Sequence, residues 1–235
     1  MNRTLVTAFL RQRLTSPMRL ALILLLTVFP LGLVALTGSL APLAGIAGPL
    51  ALIFAAGAIG QDVSSGTLQL LLVRPVTRPA YLANRWLASL LGALALSLLV
   101  FALGALVLML KGTPPGAGEL VSLSLEDASI AAGNSAVMIM FSTLAGGLGD
   151  LGLYFGAFLL LQMLGGAAAI GHWEWLARAT SELEGVLGPK LSFSWLVQHT
   201  PPSWFELTSW ASSITLALAV GIARLNRREL SYAAG

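Results

Sequence analysis

Long apolar segments alternate with short polar ones along this chain. Residues 20–60 contain no Asp, Glu, Lys or Arg, and a stretch of that length is about twice the roughly 20 residues that one spanning helix needs. We therefore predict two spans in it, folded at residues 37–39. Applied to the whole chain, the same criterion predicts an all-α integral membrane protein with six transmembrane helices, at about residues 18–37, 40–60, 80–110, 128–148, 151–171 and 207–224.

Two of these predicted spans carry local irregularities. In the second span, Gly48 and Pro49 predict a kink, because proline interrupts the helical hydrogen bonds. In the fourth span, polar side chains interrupt the apolar run, and hydrogen bonding between helices accounts for them without an intramembrane enzyme site. The four residues concerned are Asn134, Ser135, Ser142 and Thr143. Charged residues are otherwise nearly absent from the spans, which argues against a proton-driven transporter.

Residues 1–17 are predicted to form an amphipathic N-terminal helix, in which Arg3, Arg11 and Arg13 occur among apolar residues. Such a helix suits the face of an anionic membrane. A solvated arm that is retained as a topogenic signal accounts for the same pattern, and the sequence leaves both alternatives open.

The outer loop, residues 172–206, is the longest segment without a span. It contains four of the six tryptophans, a clustering typical of the boundary with lipid headgroups, and we predict an interfacial helix and a return hairpin there. Glu174, Glu182 and Glu184 are interpreted as a solvated helix face. His172 and His199 lack further ligands for a metal site.

Composition agrees with this class of protein. Apolar residues make up 57% of the chain and charged residues 10%, with a mean hydropathy of +0.85, values that indicate a polytopic membrane protein. The absence of cysteine excludes disulfides and thiolate metal sites. No G-x-x-x-x-G-K-[ST] motif occurs, so the chain has no phosphate-binding loop of its own. The net charge of +3 is small, and we expect no nucleic-acid partner.

The polar segment at residues 60–87 separates the second and third spans. Thr77 is predicted to cap a helix whose first turn holds Arg78 and Pro79, where proline costs nothing. The segment resembles the cytoplasmic loop of ABC-2 type transporter permeases. The resemblance rests on Asp62, Gly66-Thr67-Leu68, Leu71-Leu72, Pro75-Val76-Thr77-Arg78 and Leu82-Ala83-Asn84-Arg85. Ser64 and Asn84 depart from the usual pattern, which has an acid and a glycine there.

The resemblance implies a cytoplasmic coupling helix within the coupling loop, residues 61–79. In that family this helix docks into a separate ABC ATPase subunit, so ATP and Mg would be bound by the partner and this chain would hold no cofactor. The residues that the resemblance assigns to ATPase coupling are Asp62, Gly66, Thr67, Leu68, Leu71, Leu72, Arg74, Pro75 and Arg78.

The fifth span contains a GxxxG motif formed by Gly152 and Gly156. Such a motif lets two helices approach closely, and the second helix could belong to this chain or to another copy. Because the first and fifth spans commonly flank the dimer seam in ABC-2 permeases, the resemblance favours a contact with a second permease copy or a paralogue.

The distribution of basic residues predicts the orientation. If both termini face the cytoplasm, ten of the thirteen basic residues lie inside, and only Lys111, Arg178 and Lys190 lie outside. The positive-inside rule therefore favours six spans with both ends in the cytoplasm of a bacterial or archaeal cell, the protein lying in its inner membrane among lipid.

The function predicted from these observations is the permease subunit of an ATP-driven ABC exporter that works by alternating access. A membrane scaffold or assembly factor, which would recruit a periplasmic protein through residues 172–206, is the alternative. Nothing in the sequence indicates the substrate.

Overall fold

The computed structural model describes residues 3–66, 77–198 and 203–227, and within these residues it contains helices and no strand. The helices are α1 (Arg3–Leu14), α2 (Pro17–Thr37), α3 (Ala47–Ala55), α4 (Gly60–Ser64), α5 (Arg78–Leu110), α6 (Ala117–Leu144), α7 (Gly149–Gly171), α8 (Glu174–Leu187), α9 (Ser194–Gln198) and α10 (Trp204–Arg227). A 3-10 turn at Ala41–Leu43 precedes α3.

Among the residues that the structure describes, five segments are long and apolar enough to cross a membrane: Pro17–Thr37, Ala41–Ser64, Arg78–Leu110, Gly149–Gly171 and Trp204–Arg227. They correspond to five of the six predicted spans. The remaining one, predicted at residues 128–148, corresponds to the later part of α6, which begins earlier at Ala117, ends at Leu144 and is less apolar than the other five.

Protein surrounds the middle of helix α6, where Asn134 and Ser135 lie. The helix packs against α3, α5, α7 and α10, and residues 131–139 are all buried. A helix in that position does not need a continuous apolar surface, since its neighbours rather than solvent or lipid cover its side chains.

The second predicted span is broken rather than kinked. Pro49 lies in the first turn of α3, where its missing N–H costs little, so the kink predicted at Gly48 and Pro49 is absent. The breaks occur instead on either side of α3, next to Gly45 and Gly57, whose φ angles are +79° and +65°. These left-handed conformations favour glycine.

A carboxylate of α6 holds the break before α3. Asp127 is 1% exposed, and its two oxygens accept hydrogen bonds from the backbone N–H groups of Gly45 and Ala47, at 2.8 and 3.0 Å. The first N–H groups of a helix have no partner within it. A side chain some 80 positions along the chain thus caps α3.

The break between α3 and α4 is held from the same side of the bundle. Ser142 Oγ of α6 accepts from the N–H groups of Ile59 and Gly60, at 2.9 and 3.0 Å, and Asp150 of α7 accepts from Gly57 N at 2.5 Å. Because buried backbone groups are costly when unpaired, these contacts allow an interrupted helix to stay inside the protein.

The outer loop folds back into the bundle. Helix α8 runs back along α7, and Gln162 donates to Glu184 at 3.0 Å. Beyond α8, the loop at Pro189 and Leu191 packs on α6, where Ser129 Oγ accepts from Leu191 N at 2.9 Å. Glu174 and Glu182 are exposed, in agreement with the predicted solvated helix face, and Glu184 is half-buried beside the middle of α7.

Candidate coupling site at one end of the bundle

A buried ion pair joins the two helices on either side of residues 67–76. The guanidinium of Arg85, in α5, donates to the carboxylate of Asp62, in α4, and the two side chains are 3% and 4% exposed. Tyr81 OH donates to the same carboxylate oxygen. Since a buried charge is tolerated only when it is paired and hydrogen-bonded, these three groups hold α4 and α5 together as one unit.

Helix α1 covers this ion pair. The ring of Phe9 lies 3.6 Å from Arg85 Cζ, a cation–π contact, and Gln12 Oε1 accepts from Arg85 Nη1 at 3.1 Å. Val6 and Phe9 are buried. The apolar side of α1 thus packs against protein, a contact that neither alternative for the N-terminal segment had included.

Two further arginines meet the same end of the broken span. Arg13 donates to Ala56 O at 2.8 Å and to Gln61 Oε1 at 3.5 Å, and Arg19 donates to Gln61 Oε1 at 3.3 Å. Burial, with Arg19 and Arg85 nearby, lowers the pKa of Arg13 to about 9. The guanidinium stays charged at neutral pH and donates to the carbonyl of Ala56, where α3 ends.

At the start of α5, the structure confirms the predicted cap. Thr77 Oγ1 accepts from Ala80 N at 3.4 Å, with Pro79 in the first turn. Arg78 donates to the carbonyls of Leu225 and Asn226 at 2.9 and 2.8 Å. A cation there satisfies acceptors at the C-terminal end of α10, so Arg78 has partners within the chain, and its contact with an ATPase stays a prediction.

The central part of the predicted coupling segment lies outside the described residues. This applies to Thr67, Leu68, Leu71, Leu72, Arg74 and Pro75. Gly66 ends the described part with a φ angle of +72°, beside Asp62 and Ser65 in the turn after α4. The structure brings Asp62 next to the start of α5, and so places both flanks of the segment close together.

The glycines of the GxxxG motif have open space beside them. A Cβ added at Gly152 or Gly156 would meet no atom within 4 Å, so in the described part of the chain neither glycine makes room for a neighbouring helix. Large apolar side chains of α7 are exposed around them, namely Phe155, Leu159, Leu160 and Met163.

Sequence reasoning missed several residues of this end of the bundle. Tyr81 was not considered, although it lies four positions before Arg85 and therefore on the same helix face. The carboxylate of Asp150 accepts a hydrogen bond from a turn 93 positions earlier in the chain. No local signal in the sequence connects Ser142 with residues 59 and 60.

A search of curated proteins found no match to the chain. The sequence pattern described as ABC-2 family transporter protein matches residues 33–230, which cover most of the chain and both flanks of the coupling segment. The chain therefore belongs to the ABC-2 family transporter proteins and is a multi-pass membrane component of such a transporter.

Proposed function

We propose that this chain is the permease subunit of an ABC exporter, with six spans, and that a separate ATPase drives it through the coupling loop at residues 61–79. The observation that carries the proposal is the buried unit of Asp62, Tyr81 and Arg85. These residues tie together the two ends of the segment that would contact the ATPase.

The physical argument concerns rigidity. A displacement of residues 67–76 would be transmitted to α4 and α5 together, because separating the two helices would break a buried ion pair, which is strongly destabilising. Helix α4 continues the broken span and α5 is the longest helix. A push on the loop would therefore reach the breaks at Gly57 and Gly45, where the chain has two short helices that can shift as separate segments.

The contacts of the basic residues support a cytoplasmic position for this end. Arg13, Arg19 and Arg85 all contact residues 56–62, and Arg78 contacts the last turn of α10. Under the positive-inside rule, this collection of arginines belongs on the cytoplasmic side. In that orientation the ATPase would lie next to the coupling loop on the cytoplasmic side and would bind ATP and Mg there. Helix α6 would then cross the membrane as the fourth of six spans.

We further propose a dimer across α7. Gly152 and Gly156 are open and lie among exposed apolar side chains, and close packing of two helices at small residues is a common way to associate in a membrane. A second copy of this chain and a related permease are both compatible with this surface.

Purification of the tagged full-length chain in a mild detergent, with identification of the proteins that co-purify, is the first experiment. We expect a stoichiometric ABC ATPase. The complex is then reconstituted in lipid, and its ATPase activity is measured for the Leu71→Asp and Leu110→Asp variants. Leu110 is 80% exposed at the end of α5 that lies away from the coupling loop, and serves as the matched control.

Leu71→Asp should reduce hydrolysis to the rate of the isolated ATPase, because a charge replaces an apolar docking contact, while Leu110→Asp should leave coupling intact. Unchanged coupling in Leu71→Asp would refute the role of the loop. A stable assembly that contains no ATPase would refute the permease proposal itself and favour a scaffold.

A further inference from the structure

A cavity of about 550 Å³ lies between α7, α8 and α10, closed on one side by the loop that follows α8. It is separate from the coupling site, and the function proposed above does not use it. Its size falls within the range of small-molecule sites, about 300–1,000 Å³. Two of its walls come from the outer loop segment that folds back into the bundle.

Aromatic rings supply much of the apolar wall. Tyr154 and Phe158 come from α7, and Phe205 and Trp210 come from α10. Trp210 is fixed in place, because its indole N–H donates to Ser129 O at 3.1 Å. Aromatic faces carry negative electrostatic potential, and indole attracts an organic cation most strongly.

The charged groups of the cavity have a negative balance. Glu184 and Glu206 line it together with a single cation, Lys190. In the part of the chain that the structure describes, none of these three side chains forms an ion pair within 4.0 Å. Glu184 accepts one hydrogen bond from Gln162, at 3.0 Å, and that neutral donor leaves its charge uncompensated.

We propose that this cavity binds a lipophilic organic cation, a molecule whose positive charge carries aromatic or alkyl groups. The rings would surround the apolar body, and the carboxylates of Glu184 and Glu206 would balance the charge. Binding itself does not depend on the proposed permease function, whereas a role for the bound cation as cargo would rest on it.

The test compares two probes of nearly the same shape and opposite charge, tetraphenylphosphonium and tetraphenylborate. Their binding to the full-length chain in lipid nanodiscs is measured by equilibrium dialysis, and binding to empty nanodiscs is subtracted. We expect saturable binding of the cation and little binding of the anion. The double variant Glu184→Gln and Glu206→Gln should weaken cation binding by about tenfold or more.

Glu182→Gln is the matched control, since Glu182 is exposed on the same helix and does not line the cavity. Trp210→Phe keeps an apolar ring and loses the anchoring hydrogen bond, and it should weaken binding less than the double variant. Size-exclusion profiles establish that each variant is folded.

Three results would overturn the proposal. The first is absence of saturable cation binding to the unmodified chain, and the second is equal binding of both probes, which would indicate an unselective apolar cleft. The third is cation binding that the double variant leaves unchanged. ATPase coupling is measured separately, so a negative result here does not bear on the coupling loop.

Discussion

The broken span at Ala41–Ser64 and helix α7 are both apolar enough to cross a membrane, yet they face different surroundings. Of the most apolar 18 residues of the broken span, 72% are buried inside the protein, whereas only 17% of those of α7 are. The broken span is interrupted twice and bound by polar side chains of other helices. Helix α7 is continuous and presents Phe155, Leu159 and Met163 outward.

The difference shows what each environment allows. Irregular backbone at membrane depth is tolerated only where protein or a water-filled cavity surrounds it, because its N–H and C=O groups need partners. The broken span finds them in Asp127, Ser142 and Asp150. An outward-facing helix such as α7 has no such partners and remains regular. The breaks on either side of α3 therefore depend on the polar side chains of α6 that bind them.

The largest effect is expected where the α4 end of the broken span meets α5. Arg85→Ala would leave the carboxylate of Asp62 buried and unpaired, at a cost of about 3–5 kcal/mol in the free energy of unfolding. Unfolding in mixed detergent micelles, followed by circular dichroism, would measure it. Combining Arg85→Ala with Asp62→Ala should recover part of the loss.

The exposed pair of Arg178 and Glu174 is the matched control for that variant. Its nitrogen–oxygen distance is 3.4 Å, but both side chains are more than 80% exposed. Exposed pairs contribute little, typically about 0–1 kcal/mol, so Arg178→Ala should leave the unfolding curve nearly unchanged. Equal losses for Arg85→Ala and Arg178→Ala would contradict the assignment of a buried ion pair to the coupling site.

Ser142→Ala tests the capping of α4. The substitution removes the acceptor of two backbone N–H groups at once, those of Ile59 and Gly60, and we expect a loss of about 2 kcal/mol. Thr215→Ala is the control, because that exposed hydroxyl bonds only to its own helix. Hydrogen exchange of residues 57–60 should increase in Ser142→Ala alone; unchanged protection would mean that Ser142 does not hold the break.

Gly133→Ala tests the contact between α6 and the loop after α8. An added Cβ would lie 2.4 Å from Pro189 O, a backbone atom that cannot rotate away, and overpacking of this kind costs about 1–3 kcal/mol. Thermal unfolding should detect the loss. The same change at Gly166, where nothing lies within 4 Å, should cost nothing, and a comparable loss there would remove the steric explanation.

How far the sequence predicted this structure depends on the distance between interacting residues. The bounds of α2 and α7, at Pro17–Thr37 and Gly149–Gly171, agree closely with the prediction because they follow from local apolar runs. Thr77 was recognised as a cap because the signal, a threonine followed by Arg78 and Pro79, is also local. The breaks in the second span depend on Asp127 and Ser142, some 80 positions away, and no local pattern contains that information.

For the candidate site, the sequence indicated which segment is involved but not the buried ion pair that joins its two flanking helices. Asp62 was recognised as part of the motif, whereas Arg85 was used chiefly as a motif residue and as a charge for orientation. Their pairing became apparent only once α4 and α5 were placed together. The residues assigned to ATPase contact at positions 67–75 stay a prediction.

The smallest effect on stability is expected for substitutions at Gly156 on α7. They distinguish an effect on the folding of one chain from an effect on the association of two. Gly156→Ala meets no atom of the chain, and alanine is the better helix former by up to about 1 kcal/mol, so unfolding of the single chain should be unchanged or slightly harder. If a second copy packs across Gly152 and Gly156, Gly156→Leu should nevertheless convert dimers to monomers, because a large side chain prevents close approach of two backbones. Photobleaching steps of labelled protein in liposomes would count the copies, with Gly166→Leu on the same helix as the control. Dimers that persist in Gly156→Leu would place the contact on another face and leave α7 to lipid.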